Sequence, residues 1–281
     1  MGDIESESKF IWKLILNILL TPITLLLIIF KKKEFNELFK PFYDIIKFVF
    51  EPKFTIIIII LNVAISLWAA FLLSEVTFNL LMNYPQDLLH LGRLYSLITN
   101  GFIHSSPTHL IGNMIGIFIF GRVVERKIGM SKTALVYFGA LIISSVGDSA
   151  INLLMTNSNM PALGASGALM GLVATAILID PLYITYELII PLPIMISGWL
   201  AIYGDFSGIL NPNGDAVSYF AHIFGYLSIT LIMFLLSNEN RSELKKGLII
   251  NLVSLGIAGI IYFLIISGYI PSFNVPLPIP S

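Results

Sequence analysis

The chain of 281 residues contains no cysteine and few charged residues. Without cysteine it has no disulfide bond, no thiolate nucleophile and no cysteine metal site. Charged residues make up only 12% of the chain, about half the fraction that is usual in soluble globular domains. This shortage excludes an ordinary soluble domain. The acidic start, MGDIESESK, is the opposite of the basic start of a signal peptide, so no cleaved signal is expected.

Long apolar runs take the place of charge. Hydrophobic residues make up 56% of the chain, and its mean hydropathy is +0.88. Because about 20 apolar residues cross a bilayer as a helix, the runs predict membrane spans and an all-α, polytopic helical membrane protein. The predicted spans are Phe54–Leu73, Thr108–Val124, Thr133–Met155, Ser166–Ile179, Leu188–Tyr203, Ala216–Leu236 and Leu248–Ser267.

An eighth apolar run, Phe10–Phe30, contains Lys13, Asn17 and Pro22, so it is predicted either to span the membrane or to lie at its surface. The segment that follows, up to Lys53, has apolar residues at helical spacing with lysines between them. That pattern is typical of a helix in the headgroup layer, and a helix of a small soluble domain is the alternative. The apolar residues are Phe35, Leu38, Phe39, Phe42, Ile46 and Val49.

Lysine and arginine predict the orientation of these spans, because basic loops face the cytoplasm. If the spans alternate in direction, nearly all the basic connections lie on one side, and the opposite side has only Arg93. We therefore expect a multi-pass protein of the cell membrane, with cytoplasmic basic loops and an outward-facing segment from Glu75 to Thr108. The basic residues are Lys31, Lys32, Lys33, Lys40, Lys47, Lys53, Arg122, Arg126, Lys127, Lys132, Arg241, Lys245 and Lys246.

Polar residues stand near the outer ends of three predicted spans. His109 and Asn113 are four apart, so they share one helix face. His222 is predicted about two turns into its span. Taken singly, each is explained by hydrogen bonding between helices, although polar groups inside spans usually face the bundle or a wet cavity.

Ser166 is the third case, with glycines on both sides of it in GASG. As a helix, the run from Ser166 to Ile179 is about 20 Å long, which is short of the ~30 Å bilayer core. Ser166 is therefore expected about 10 Å below the outer surface. Serine caps helices well, but the free N–H groups at a helix start can also hold a developing anion.

Together, these groups point to catalysis. Serine needs an adjacent base to become a nucleophile, and acyl transfer needs donors for the oxyanion. The sequence offers no obvious acidic partner, because Asp148 is predicted near the end of its span and Asp205 in a loop. A Ser–His dyad of Ser166 and His222 is therefore predicted rather than a triad.

The same motifs, in the same order, resemble those of the rhomboid intramembrane serine proteases from about Lys53 to Gly268. HLIGN, GASGALMG and AHIFG match the family patterns H-x-x-x-N, G-x-S-G-x-x-x-G and A-H-x-x-G, and FGRVVERKIG is similar to the segment after the family's second helix. The resemblance implies a rhomboid-like six-helix core in residues 53–240. It also implies an extra C-terminal helix and tail in 241–281, and it leaves an N-terminal cytoplasmic-side extension in 1–52.

The resemblance also implies residue roles. Ser166 would attack the scissile carbonyl, and His222 would be the general base. The resemblance implies an oxyanion hole made of His109, Asn113 and the backbone N–H of Ser166. It also implies that His104 holds the outer loop. Close helix packing at the site is expected from Gly164, Gly167, Gly171, Ala221 and Gly225.

Three positions depart from the family pattern. Tyr95-Ser96 replaces the usual Trp-Arg pair of the outer loop, so that loop is expected to be held differently. Met170 stands where an aromatic residue often stacks on the catalytic histidine, and its sulfur can still pack on a ring edge. Ile229 stands where glycine is common.

Other functions fit the sequence less well. An aspartyl intramembrane protease needs paired acids, typically with a G-x-G-D motif, and the sequence matches that motif only in part. The zinc protease motif H-E-x-x-H is absent. A transporter or a pseudoprotease that only holds substrates is the non-enzymatic alternative, but no internal repeat is visible. The expected partners are transmembrane protein substrates and membrane lipid, with no nucleic acid, cofactor or metal.

Overall fold

The structure is a computed structural model, and it describes residues 7–156, 158–185, 191–210, 218–267 and 269. Its α-helices, in chain order, are α1 (Glu7–Leu19), α2 (Thr21–Ile29), α3 (Lys40–Phe50), α4 (Lys53–Leu72), α5 (Glu75–Leu81), α6 (Ser96–Thr99), α7 (Pro107–Gly116), α8 (Arg122–Ile128), α9 (Met130–Ile151), α10 (Ser166–Ile179), α11 (Ile194–Leu210), α12 (Tyr219–Ile232) and α13 (Asn238–Ile266).

Short elements join these helices. Two π-helical segments, Ile117–Gly121 and Asn152–Thr156, link α7 to α8 and extend α9. Two strands, β1 (Ile184–Thr185) and β2 (Leu192–Pro193), pair antiparallel between α10 and α11. The 3₁₀ turns are Phe35–Phe39, Pro85–Leu89, Leu91–Arg93, Asn100–Phe102 and Met233–Leu235.

Seven apolar helical segments correspond to the seven predicted spans, which confirms the all-α polytopic fold. Within the described ranges, four are long enough to cross a membrane: Lys53–Leu72, Pro107–Ile128, Met130–Thr156 and Asn238–Ile266. Three are shorter: Ser166–Ile179, Ile194–Leu210 and Tyr219–Leu235.

Helix α10 is the centre of the bundle, and its observed bounds equal the predicted ones. Nearly all of its residues are buried, and α9, α12 and α13 pack around it. Small residues make this possible: a Cβ at Gly171 would lie 2.2 Å from the Ala140 Cβ of α9, and one at Gly225 of α12 would lie 2.4 Å from the Gly167 oxygen. Because protein rather than lipid surrounds α10, it need not match the thickness of the bilayer.

A buried carboxylate fixes the start of α4 against α8. Glu125 accepts hydrogen bonds from the backbone nitrogens of Phe54 and Thr55, both at 2.9 Å, and from the Thr55 hydroxyl at 2.8 Å. The first N–H groups of a helix have no partner within it, and a negative charge is favourable there. Gly129, with φ +83°, then ends α8 in a conformation that suits glycine.

In the N-terminal arm, residues 7–52, α1 packs against α2 and α3. Helices α1 and α2 are together apolar enough for one span, but they are bent by 53° at the break between them. Phe10 of α1 stacks on Phe48 of α3 with ring centroids 4.1 Å apart, and the Arg122 guanidinium lies 4.3 Å from the Phe48 ring. Residues 10–30 therefore stay predicted either to span the membrane, as a bent pair of helices, or to lie at its surface.

Three predictions were wrong near α11 and α12. The span predicted from Leu188 begins at Ile194, because Pro191 and Pro193 lack the N–H groups that a helix interior needs; Leu188 itself lies outside the described residues. The helix then continues to Leu210, so Asp205 is helical rather than in a loop. Ser218 caps α12, which places His222 in the first turn instead of the second.

The C-terminal helix α13 is docked on α10 and α11 by one buried amide. Asn251 accepts a hydrogen bond from the Trp199 indole at 2.8 Å and donates to the Ile177 carbonyl at 2.7 Å. One turn earlier, Gly247 lies so close to α10 that a Cβ there would be 1.8 Å from the Leu178 oxygen. Most of the rest of α13 is exposed.

We predict that Gly247→Ala destabilises the protein and that Gly256→Ala, on the open part of the same helix, does not. Alanine favours a helix over glycine by about 1 kcal/mol at either site, but only the first methyl clashes with backbone, at a cost of ~1–3 kcal/mol. The thermal unfolding midpoint in detergent measures the difference. Equal midpoints for the two variants would contradict this packing.

Candidate active site

The starts of three helices converge on one cavity of about 530 Å³. His109 lies in the first turn of α7, Ser166 is the first residue of α10, and His222 lies in the first turn of α12. The cavity is lined by residues that include Ser166, His222, His109, Asn113, Gly164, Gly167, Met170 and Ala221. Chain segments far apart in sequence thus place an alcohol, two imidazoles and an amide around one space.

The loop before Ser166 is held by protein on both sides. Ala162 and Asn83 exchange backbone hydrogen bonds at 2.9 and 3.1 Å, and the Gly164 nitrogen donates to the Asn100 carbonyl at 2.8 Å. Irregular backbone is tolerated at membrane depth only where such partners cover it. These bonds therefore fix the approach to Ser166.

Gly164 leaves room for the polar groups above Ser166. Its φ of +110° is strained for any residue with a side chain. A Cβ there would lie 2.7 Å from the His109 Nε2 and 3.4 Å from the Asn113 Nδ2. The His109 Nε2 and the Asn113 Nδ2 therefore lie against the backbone of Gly164, two residues before Ser166.

The Asn113 amide is a buried donor without a partner. Asn113 is 6% exposed, and within the described part of the chain its Nδ2 has no hydrogen-bond acceptor. Buried polar groups are nearly always paired, so an unpaired one requires a reason. A donor kept free beside Ser166 is suited to an oxygen that arrives with a ligand.

His104 lies behind the loop rather than in this cavity. Its Nε2 accepts a hydrogen bond from the Ala165 nitrogen at 3.4 Å, and its Nδ1 lies 2.9 Å from the Ser66 hydroxyl, which donates to the Phe102 carbonyl. Burial, together with the neighbouring His109, lowers the pKa of His104 to about 4. At neutral pH the ring is therefore uncharged and can accept from Ala165 directly before the serine.

The packing glycines have more than one neighbour. Gly167 and Gly171 are closest to α9, where Cβ atoms would lie 2.1 Å from the Ser144 hydroxyl and 2.2 Å from Ala140. Gly225 is the residue that brings α12 onto α10, at the Gly167 carbonyl. Ile229, which replaces a common glycine, is buried in the core.

The outer loop is held by Arg93. Its guanidinium bonds to both carboxylate oxygens of Asp87 at 2.9 Å and to the Leu80 carbonyl at 2.7 Å, and it lies over the Tyr95 ring. Ser96 is buried and donates to Asn83, the residue that pairs with the loop before Ser166. Tyr95 and Ser96 thus both take part in holding this loop, and whether it is held differently from the family's loop stays a prediction.

Asp205 is the site residue that sequence reasoning missed. Its Oδ1 lies 2.6 Å from the His222 Nδ1, and its Oδ2 accepts a hydrogen bond from the Tyr226 hydroxyl at 2.6 Å. Both Asp205 and His222 are 8% exposed. A signal existed, because an acid inside an apolar run is costly and marks a functional position, but Asp205 is predicted from the sequence to lie in a loop.

Three further observations complete the geometry. Within the described ranges, no hydrogen bond joins the Ser166 hydroxyl to His222, a contact that commonly tightens only with substrate bound. Asp148 of α9 accepts a hydrogen bond from Ser218, the cap of α12, so it joins two helices beside the cavity. No group of three or more His, Asp or Glu in the described part of the chain is arranged to hold a metal.

Comparison with known proteins agrees with this architecture. Residues 91–239 match the family model of the Rhomboid domain. RHOMBOID-like protein 12, mitochondrial, of Arabidopsis thaliana is 31% identical over 150 residues, which cover 48% of this chain and 44% of that protein. Putative rhomboid protease YdcA of Bacillus subtilis is 37% identical over 81 residues, covering 29% and 39%.

A third relative, Rhomboid-like protein 11, chloroplastic, of Arabidopsis thaliana, is 33% identical over 85 residues, covering 30% of this chain and 29% of that protein. The matches thus cover less than half the length of each of these relatives. The family model covers more than half of the present chain. The apolar helices make this chain a multi-pass membrane protein. The chain belongs to the rhomboid family.

Proposed function

We propose that this protein is an intramembrane serine protease that cuts peptide bonds in or near transmembrane segments. The rhomboid family includes such enzymes, and one relative is named a putative rhomboid protease. The observation that carries the proposal is the unpaired, buried Asn113 nitrogen at a cavity that Ser166 and His222 also line. That set contains a nucleophile, a base and a free donor for an oxyanion.

In the proposed reaction, Ser166 Oγ attacks the scissile carbonyl carbon while its proton passes to the His222 Nε2. The resulting tetrahedral intermediate collapses when the C–N bond breaks, and the amine leaves with the proton from Nε2. The product of this half-reaction is an ester on Ser166. Water then attacks the ester, giving its proton to Nε2, and the carboxylic acid leaves as Ser166 regains a proton.

The oxyanion is proposed to be held by Asn113, His109 and the backbone N–H of Ser166. The Ser166 N–H is at the first position of α10, where it has no partner within the helix. His109 has its Nδ1 at 3.1 Å from the Ser105 hydroxyl. When that hydroxyl donates, the hydrogen of the ring is on Nε2, which is the nitrogen beside Gly164.

The recessed position of Ser166 sets the class of substrate. A helix hides its amides from attack, so the scissile segment must unwind before it enters the cavity. The serine hydroxyls and the glycine backbone at the cavity wall make the cavity polar enough to hold water. The second half-reaction consumes that water. Transmembrane proteins with weakly helical segments near the outer surface are the expected substrates.

We predict that Ser166→Ala and His222→Ala each abolish cleavage of a labelled single-span substrate in liposomes, because each removes a group that forms or breaks bonds. Ser158→Ala and His90→Ala, which are outside the cavity, should cut at the wild-type rate. A serine-reactive fluorophosphonate probe should label Ser166 in the wild type and in the two control variants, and should leave Ser166→Ala unlabelled at that position. Full activity of Ser166→Ala would contradict the serine mechanism, and an unlabelled, inactive wild type would favour the non-enzymatic alternative.

We predict that Asn113→Ala slows cleavage by about 10²–10³-fold, the usual cost of losing one oxyanion donor. Stability should change little, because the amide nitrogen has no partner to lose and its removal relieves an unpaired buried donor. The measurements are single-turnover rate and thermal midpoint. An unchanged rate would exclude this role for Asn113.

The proposed orientation places the basic end of the bundle in the cytoplasm and the cavity toward the opposite side. Because the chain has no cysteine, single cysteines can report on this directly. Glu239→Cys at the basic end should react with an impermeant maleimide only after the cells are opened, and Glu75→Cys should react in intact cells. Both positions are exposed, and the reverse pattern would contradict the orientation.

A further inference from the structure

We infer that Asp205 is the positioning residue for the base: it holds His222 with its proton on Nδ1, so that the Nε2 lone pair is available to Ser166. This inference rests on the proposed protease function. It replaces the dyad expected from the sequence with a group of three, supplied by α10, α11 and α12. Asp205 would touch neither substrate nor reacting atoms, and it would act through the imidazole.

The hydrogen bond between the two side chains has the geometry of a charge-assisted contact. The His222 Nδ1 and the Asp205 Oδ1 are 2.6 Å apart, slightly closer than the roughly 2.7–2.9 Å of charge-assisted N–H bonds to a carboxylate. A carboxylate can only accept, so the hydrogen must be on Nδ1 when the acid is ionised. That fixes the tautomer in which Nε2 is a base.

A second contact fixes the carboxylate itself. The Tyr226 hydroxyl donates to the other oxygen, Oδ2, at 2.6 Å. Tyr226 follows His222 by one helical turn on α12, so both groups reach Asp205 from the same face. The carboxylate is therefore held in one orientation by two donors from one neighbouring helix.

The surroundings of Asp205 indicate that its pair with His222 has a role in the proposed reaction as well as in the structure. Asp205 is 8% exposed, and the one ion-pair partner that the described residues give it is His222. A buried carboxylate without a fixed cation is costly. It becomes favourable when the imidazole takes up a proton, which in the proposed reaction happens as the tetrahedral intermediate forms.

The other nearby acid does not compete for this role. Asp148 is bonded to Ser218, and none of its hydrogen bonds among the described residues reaches the imidazole. The neighbouring aromatic, Tyr219, meets the His222 ring edge to face at 6.3 Å and leaves Nδ1 to Asp205. Each ring nitrogen of His222 thus has a separate task.

The decisive experiment compares Asp205→Asn with the wild type. An amide of the same shape keeps the packing of α11 on α12, but it can donate to Nδ1 and so favours the wrong tautomer. We expect kcat to fall by at least ~10²-fold, toward the ~10⁴-fold loss known for this change in a serine triad, with KM unchanged. Asp205→Glu should recover part of the rate, and Asp180→Asn, in the ion pair with Lys127 at the other end of α10, should match the wild type.

A readout independent of proteolysis completes the test. In ¹⁵N-histidine spectra, assigned with His222→Gln, we expect His222 to be protonated on Nδ1 in the wild type and in Ser166→Ala, and to shift toward the Nε2-protonated form in Asp205→Asn. The inference is overturned if kcat of Asp205→Asn stays within about twofold of wild type, given the ~10⁴-fold loss expected of a true triad. It is also overturned if the rate falls with an unchanged tautomer and a lower thermal midpoint, which is the pattern of a purely structural contact. If Ser166→Ala cleaves normally, the protease proposal fails, while the tautomer result still decides what Asp205 does to His222.

Discussion

The contact that the rest of the structure depends on is the close approach of α10 to α9 and α12. Gly225 lies directly against the Gly167 carbonyl, and Gly171 lies against Ala140, at distances that any added methyl would violate. Backbones this close leave no freedom in the height at which α10 begins. The position of Ser166 relative to His222 is therefore set by main-chain packing, which is stiffer than contacts between long side chains.

This packing also explains why polar groups are tolerated at the site. Protein surrounds α10 on all sides, so the irregular chain before Ser166 finds partners in Asn83 and Asn100 instead of lipid. His104, uncharged because burial lowers its pKa to about 4, accepts from the residue directly before the serine. Among the described residues that line the cavity, the buried amide nitrogen of Asn113 has no hydrogen-bond partner, and it lies where the proposed chemistry needs a donor.

Much of this was predictable from the sequence, and the misses have physical causes. Hydropathy predicted α10 with its observed bounds, because a fully buried helix ends where its apolar residues end. It misplaced the start of α11, since Pro191 and Pro193 look apolar yet cannot lie inside a helix. Asp205 was missed because a contact between side chains 17 positions apart on two helices depends on how those helices pack. The periodicity and spacing of residues in the sequence carry no information on how two helices pack against each other.

The two links at the basic end of the bundle differ in how they respond to salt. Glu125 binds the start of α4 through backbone amides and a hydroxyl in a buried position, so dissolved ions have little access to that charge. The arm is tied instead by Arg126 to Glu51, whose side chain is 38% exposed, so dissolved ions can reach that carboxylate and weaken the pair. Rising ionic strength is therefore expected to weaken this ion pair of the arm before it affects the buried link between α4 and α8, and the helices that carry Ser166 and His222 take part in neither link.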